Sequence, residues 1–65
     1  MEKEWQIWSN EHRAWWMPYR HGYTKSRGLA GLYSFEEASE ICANANQFLA
    51  DDQPPNETML PYVKP

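Results

Sequence analysis

Ser34-Phe35-Glu36-Glu37-Ala38-Ser39-Glu40-Ile41-Cys42-Ala43-Asn44-Ala45-Asn46-Gln47-Phe48-Leu49 is the stretch that decides the fold. It opens as a capping box. A Ser34 N-cap oxygen accepts from the backbone of residue 37, and the Glu37 side chain reaches back to the cap. Glu36 and Glu37 also suit the positive end of a helix dipole. Ala38, Ile41, Cys42, Ala45, Phe48 and Leu49 then recur at helical spacing and trace one apolar face. Glu36, Ser39, Glu40, Asn44 and Gln47 fall on the wet face. The pattern predicts a helix over about 35–50. An amphipathic helix must bury its stripe against another layer, so the flanking segments are expected to supply a sheet.

Upstream, Glu4-Trp5-Gln6-Ile7-Trp8-Ser9 alternates as a strand does, with Trp5 and Ile7 on one side and Gln6 and Trp8 on the other. Ser9-Asn10-Glu11 is a polar, turn-prone break. Ala14-Trp15-Trp16 reads as a second extended piece pairing back on the first. Neighbouring residues of a strand face opposite ways, so one of the two tryptophans enters the core and the other does not. Pro18 lacks the N–H a ladder needs and ends that piece. Tyr19 to Gly28 reads as a loop. Leu29-Ala30-Gly31-Leu32-Tyr33 is a further candidate strand, weakened by Gly31. Downstream, Asp51 to Asn56 holds two prolines that stop the helix and make a linker. Thr58 to Val63, interrupted by Pro61, is a closing edge strand or docking tail. The expectation is an α+β domain spanning residues 1–65: an antiparallel sheet of three or so strands with one helix on one face.

Charge is unevenly spread along the chain. Residues 12–27 hold Arg13, Arg20, Lys25 and Arg27 and no acid, a local +4. The remainder sets Lys3 and Lys64 against nine acids, a balance of −7, for a net −3. The same sixteen residues carry both histidines and four of the ten aromatics. Arginine and lysine offer charge and donors to phosphate or carboxylate, and indole and phenol faces stack on flat rings. His12, Arg13, Trp15, Trp16, Tyr19, Arg20, His21, Tyr23, Thr24, Lys25 and Arg27 are therefore the candidate binding residues. The plainer alternative is a hairpin crowded with core aromatics whose cations are merely solvated. Overall acidity argues against a coat for bulk nucleic acid, which needs a basic domain.

Several classes are excluded or disfavoured. Glu11, His12, His21 and Cys42 match no zinc spacing, and Cys42 falls on the apolar helix face, so neither a metal site nor a cofactor is expected. No Ser or Cys is spaced with a base and an orienting carboxylate, and no catalytic residue is expected. No apolar run approaches the roughly 20 residues of a membrane span. The charged Met1-Glu2-Lys3-Glu4 start is unlike a signal peptide. One cysteine allows no internal disulfide and suits a reducing compartment, the cytoplasm. Sixty-five residues bury a small core. Four tryptophans exceed what one helix and a few strands cover, and a homo-oligomer is expected.

Trp8-Ser9-Asn10-Glu11-His12, Ala14-Trp15-Trp16 with Pro18, Gly22-Tyr23-Thr24, Ala30-Gly31 with Tyr33-Ser34, Glu37-Ala38 and Ile41-Cys42 together resemble a group of small accessory proteins of phages and prophages. The resemblance runs over roughly residues 7–63, with Asn56-Glu57-Thr58-Met59 matching the start of that group's last strand. It carries no activity with it. It implies a protein that counters a host defence system by stoichiometric binding, in the cytoplasm of the host cell. The partner is then either a small nucleotide signal, slightly preferred from the charge and aromatics of 12–27, or a host defence protein. A single-stranded nucleic-acid binder is the alternative, and a small hydrolase comes last.

Overall fold

The computed structural model describes residues 4–49 and 52–63. Strand β1 (Trp5–Ser9) turns through residues 10–13 into β2 (Ala14–Trp16). A turn at Pro18–Arg20, left-handed at Tyr19 and Arg20, leads to the two-residue β3 (Tyr23–Thr24), and a 3-10 turn at Arg27–Leu29 precedes helix α1 (Phe35–Asn46). Strand β4 (Glu57–Pro61) closes the chain. The sheet runs β3-β2-β1-β4, every pair antiparallel, with the helix against one face. The α+β expectation holds, with four strands.

Register sorts the side chains onto two faces. Ile7 opposes Met59, Ser9 opposes both Ala14 and Glu57, and Trp16 opposes Tyr23. These residues, with Trp5, form the inner face. Gln6 with Leu60, Trp8 with Trp15 and Thr58, and Trp15 with Thr24 form the outer face. Helix α1 lies on the inner face. Its Ala38 and Ile41 close on Ile7 and Tyr33, ringed by Trp5, Trp16, Cys42 and Met59. Burying side chains such as Ile7 and Ile41 contributes about 1.5–3 kcal/mol each. Ser34 caps the helix, its Oγ accepting from the Glu37 N–H at 3.1 Å, while the expected return bond to the Glu37 side chain does not form.

The connection from β3 to α1 changes sides of the sheet. At Arg27 it lies on the outer face, where the Gln6 amide donates to the Arg27 carbonyl at 3.1 Å. By Phe35 it has reached the inner face. It passes where β1 and β2 part, for those strands pair only at Trp8–Trp15 and Ser9–Ala14. Residues 31–33 fill the gap. Gly31 N–H donates to the Trp16 carbonyl at 2.8 Å, and Tyr33 exchanges two backbone bonds with Trp5 at 2.8 and 2.9 Å. The passage is narrow. A Cβ on Gly31 would stand 2.7 Å from Pro18 Cα and N and 2.8 Å from the Met17 carbonyl carbon. Gly31 is therefore required by backbone crowding.

Three expectations need correction. The strand expected at Leu29–Tyr33 is a single bridge at Tyr33, because Leu29 closes the 3-10 turn and Gly31 threads the gap. The third strand is instead Tyr23–Thr24, within the expected loop. The helix stops at Asn46 and does not run to about 50. There the Asn46 amide leaves the helical pattern. Its Oδ1 accepts from the N–H groups of Asn56 and Glu57 at 2.7 and 3.1 Å, and its Nδ2 donates to the Glu57 carbonyl at 2.9 Å. Phe48, expected on the apolar face, is 91% exposed. Residue 50 and Asp51, the ends of the expected helix and linker, lie outside the described residues. Strand β4 does occupy a sheet edge.

Candidate functional site

The eleven candidate residues fall in four places, set by the hairpin register and the turns at Pro18–Arg20 and Arg27–Leu29. On the outer face, Trp15 meets Trp8 edge to face, with ring centroids 5.1 Å apart. The Arg27 guanidinium sits 4.7 Å from the Trp15 ring centre. It also donates from Nε to Gln6 Oε1 at 2.7 Å and from Nη2 to the Pro61 carbonyl at 3.2 Å. Arg27 thus straps the outer face from β2 across β1 to β4. Thr24, also on this face, accepts from the Ser26 N–H at 3.1 Å and shapes the turn after β3. Trp8 donates its indole N–H to Asn10 Oδ1 at 3.0 Å, and Asn10 is held to the Pro55 carbonyl at 2.7 Å.

On the inner face, Trp16 donates from Nε1 to Glu57 Oε2 at 3.1 Å. Tyr23 meets the Trp16 ring edge to face at 5.9 Å, and His12 stacks on Tyr23 at 4.1 Å. Burial, then the charges of Glu57 and Glu11, raise the Tyr23 hydroxyl above its ordinary pKa.

Tyr19, Arg20 and His21 lie at the end of the sheet beside the helix. Tyr19 and Arg20 both take left-handed backbone, with φ of 58° and 60°. Two successive side-chain-bearing residues in that region store strain of roughly 1–3 kcal/mol each. Tyr33 compensates: its hydroxyl accepts from the Arg20 N–H at 3.0 Å and donates to the Met17 carbonyl. Arg20 pairs with Glu40 at 3.6 Å, an exposed contact of small value. Pro18, Tyr19, Leu32, Tyr33 and Glu37 line a shallow hollow there.

Arg13 and Lys25 occupy the far end of the β1–β2 hairpin. Arg13 has a φ of 57° in the turn, and Lys25 Nζ donates to its carbonyl at 3.2 Å. The four cations therefore do not converge. One straps the outer face, one faces α1, and two sit at the hairpin turn. The structure unites Trp15, Thr24 and Arg27 in one place and His12, Trp16 and Tyr23 in another.

Two contributors escaped the sequence reading as site residues. Trp8 was legible as the off-core residue of β1, since it alternates with Ile7. Glu57 carried a fainter signal, as an acid just before the apolar run of β4. Cys42 is held protonated, raised by burial and secondly by Glu57. That is opposite to what a nucleophilic thiol needs. Among the described residues, no three of His, Cys, Asp and Glu gather to hold a metal ion, and no helix is long and apolar enough to cross a membrane. No family model, curated protein or solved structure matches the chain.

Proposed function

We propose that this is a non-enzymatic binding protein that acts stoichiometrically, and that its contact surface is the outer face of the sheet. One observation carries the reading. An antiparallel sheet with a helix on one side normally turns polar residues to the other side. Here that side bears Trp8, Trp15 and Leu60, all only half-buried, with the Arg27 guanidinium over one indole. Tryptophan and arginine are the side chains that most often dominate protein contacts. The resemblance to phage accessory proteins supplies the target class, a host defence protein in the bacterial cytoplasm. A second copy of the chain is the other protein that such a face suits.

Sequestration of a nucleotide is the second reading. The Trp15 ring with Arg27 beside it offers a stacking surface next to a phosphate donor. Two of the donors of Arg27 already serve Gln6 and Pro61, and the other cations lie elsewhere, so blocking a protein is preferred.

Immobilised protein should capture one host protein in a fixed ratio. The double variant Trp8→Gln/Trp15→Gln should lose it while keeping its circular dichroism. Capture undiminished by the double variant removes the outer face from the proposal. A melting curve raised by one nucleotide class, and not by others, moves preference to sequestration. Light scattering of both forms reads self-association, and a monomer at working concentration disposes of the second copy.

A further inference from the structure

The inner face holds a feature that the outer-face reading does not use. Glu57 is an acid only 5% exposed. It stands on β4, two strands from β2, a separation of about 10 Å. Trp16 bridges that distance over β1, where Ser9 opposes both Ala14 and Glu57. Both intervening side chains are small, which lets the indole and the carboxylate meet above them. Oε2 accepts from Trp16 Nε1 at 3.1 Å. Among the described residues, no donor reaches Oε1 and no cation pairs with this carboxylate. No fully buried side-chain oxygen among the described residues lacks a partner, so Oε1 keeps contact with solvent, and the carboxylate presents an open oxygen that no protein cation answers.

What surrounds it suits a positive charge. Trp16 and Tyr23 meet edge to face, and His12 stacks on Tyr23 at 4.1 Å and 26°. Tyr23 is 42% exposed, and His12 is exposed, so the cluster opens to solvent. Glu57 makes its charge felt at both Tyr23 and Cys42, raising each, with burial the larger cause in both. Glu11 acts on Tyr23 in the same direction. Lys25, the cation of the neighbouring turn, is tied to the Arg13 carbonyl. Aromatic faces beside a carboxylate are the chemistry that recognises alkylammonium and guanidinium groups. A hard divalent metal wants six or more oxygens, which this corner lacks.

We propose that the corner formed by Glu57, Trp16, Tyr23 and His12 is a binding site for an organic cation, an alkylammonium or guanidinium group. The carboxylate supplies the counter-charge at the base, and the rings supply the walls. The site is independent of the outer-face proposal, because it lies on the opposite side of the sheet.

The test follows the Trp16 indole N–H resonance during titration with choline and with ethylguanidinium. The neutral isostere 3,3-dimethylbutan-1-ol is the control for shape without charge. Saturable shifts with at least one cation, and at least tenfold weaker binding of the alcohol, are expected. Glu57→Gln keeps an acceptor for the indole and removes the charge, and it should abolish saturation. Tyr23→Leu, at a partly exposed ring, should weaken cation binding roughly three- to tenfold while the protein keeps its fold by circular dichroism. Lack of saturation with both cations overturns the proposal, as does equal binding of the alcohol. Undiminished binding by Glu57→Gln, or by Tyr23→Leu should the first variant fail to fold, overturns it as well. Trp8→Gln/Trp15→Gln is expected to bind the cation normally, which separates this outcome from that of the outer-face proposal.

Discussion

Each face of the sheet carries two tryptophans, and the two pairs do different work. On the inner face, Trp5 and Trp16 pack around the Ile7–Ala38–Ile41 core; Trp5 meets Phe35 edge to face at 5.4 Å, and Trp16 bonds to Glu57. On the outer face, Trp8 and Trp15 meet each other, Asn10 and Arg27, with no helix over them. The same residue type thus holds the fold together on one side and furnishes contact area on the other. Which role each takes is settled by strand register, since a slip of one residue would exchange the faces.

The largest expected effect tests that division. Trp16→Ala should destabilise the protein by about 3 kcal/mol, toward the lower end for a large aromatic because Trp16 is only half-buried. It also strips the Glu57 carboxylate of its partner. Trp15→Ala should cost less, about 1–2 kcal/mol, from its edge-to-face contact with Trp8 and its guanidinium contact. Urea denaturation of the two variants reads the difference. Equal losses would mean that the outer pair is structural too, and the asymmetry would be gone.

Gly31→Ala comes next. Both faces depend on the segment that passes between β1 and β2, and Gly31 is its tightest point. The added methyl meets backbone atoms of Met17 and Pro18, which cannot swing aside as a side chain would. A loss of about 2–3 kcal/mol is expected, at the upper end for overpacking. A melting temperature within one degree of the parent would show that the passage is looser than its geometry.

The sequence reveals the two faces unevenly. Helix α1 was readable because its cap and its apolar spacing are local. Its end was not. Periodicity continues through Phe48 and Leu49, while the bonds from Asn46 to residues 56 and 57 close over a loop that no local pattern describes. Alternation showed that Trp15 and Trp16 must face opposite ways. Which one points inward depends on the pairing of Ser9 with Ala14, fixed by a turn in which Arg13 adopts positive φ. Gly31 looked like a weak strand residue because crowding between distant segments leaves no composition signal. The +4 of residues 12–27 suggested one basic site; in three dimensions the turns carry those cations to three separate places.

Tyr33 links the core to the strained turn at Tyr19 and Arg20, and it carries a pH dependence. Burial is the larger cause raising its hydroxyl, partly opposed by the hydrogen bond from the Arg20 backbone. Its folded-state pKa therefore lies above the unfolded value of about 10. The corresponding stability is complete below pH 10 and is lost as pH rises through the folded-state value. Tyr33→Phe should cost about 1–2 kcal/mol at neutral pH through the lost hydroxyl bonds. It should also flatten the alkaline decline, as followed by denaturation midpoints between pH 8 and 11. An unchanged alkaline slope would assign the decline to Tyr23, whose hydroxyl is raised as well.

The smallest effect is kinetic and confined to the inner face. Cys42 borders the core on the helix, where burial and the Glu57 charge both keep its thiol protonated. Alkylation needs the thiolate, so native protein at pH 8 should react with iodoacetamide more slowly than the same chain in urea. Glu57→Gln removes one of the two causes and leaves burial in place. It should speed the native reaction without bringing it to the urea rate. Trp8→Gln/Trp15→Gln, on the opposite face, should leave the rate unchanged. An acceleration by that outer-face pair would mean that loosening one side of the sheet opens the other, and that the two faces do not act independently.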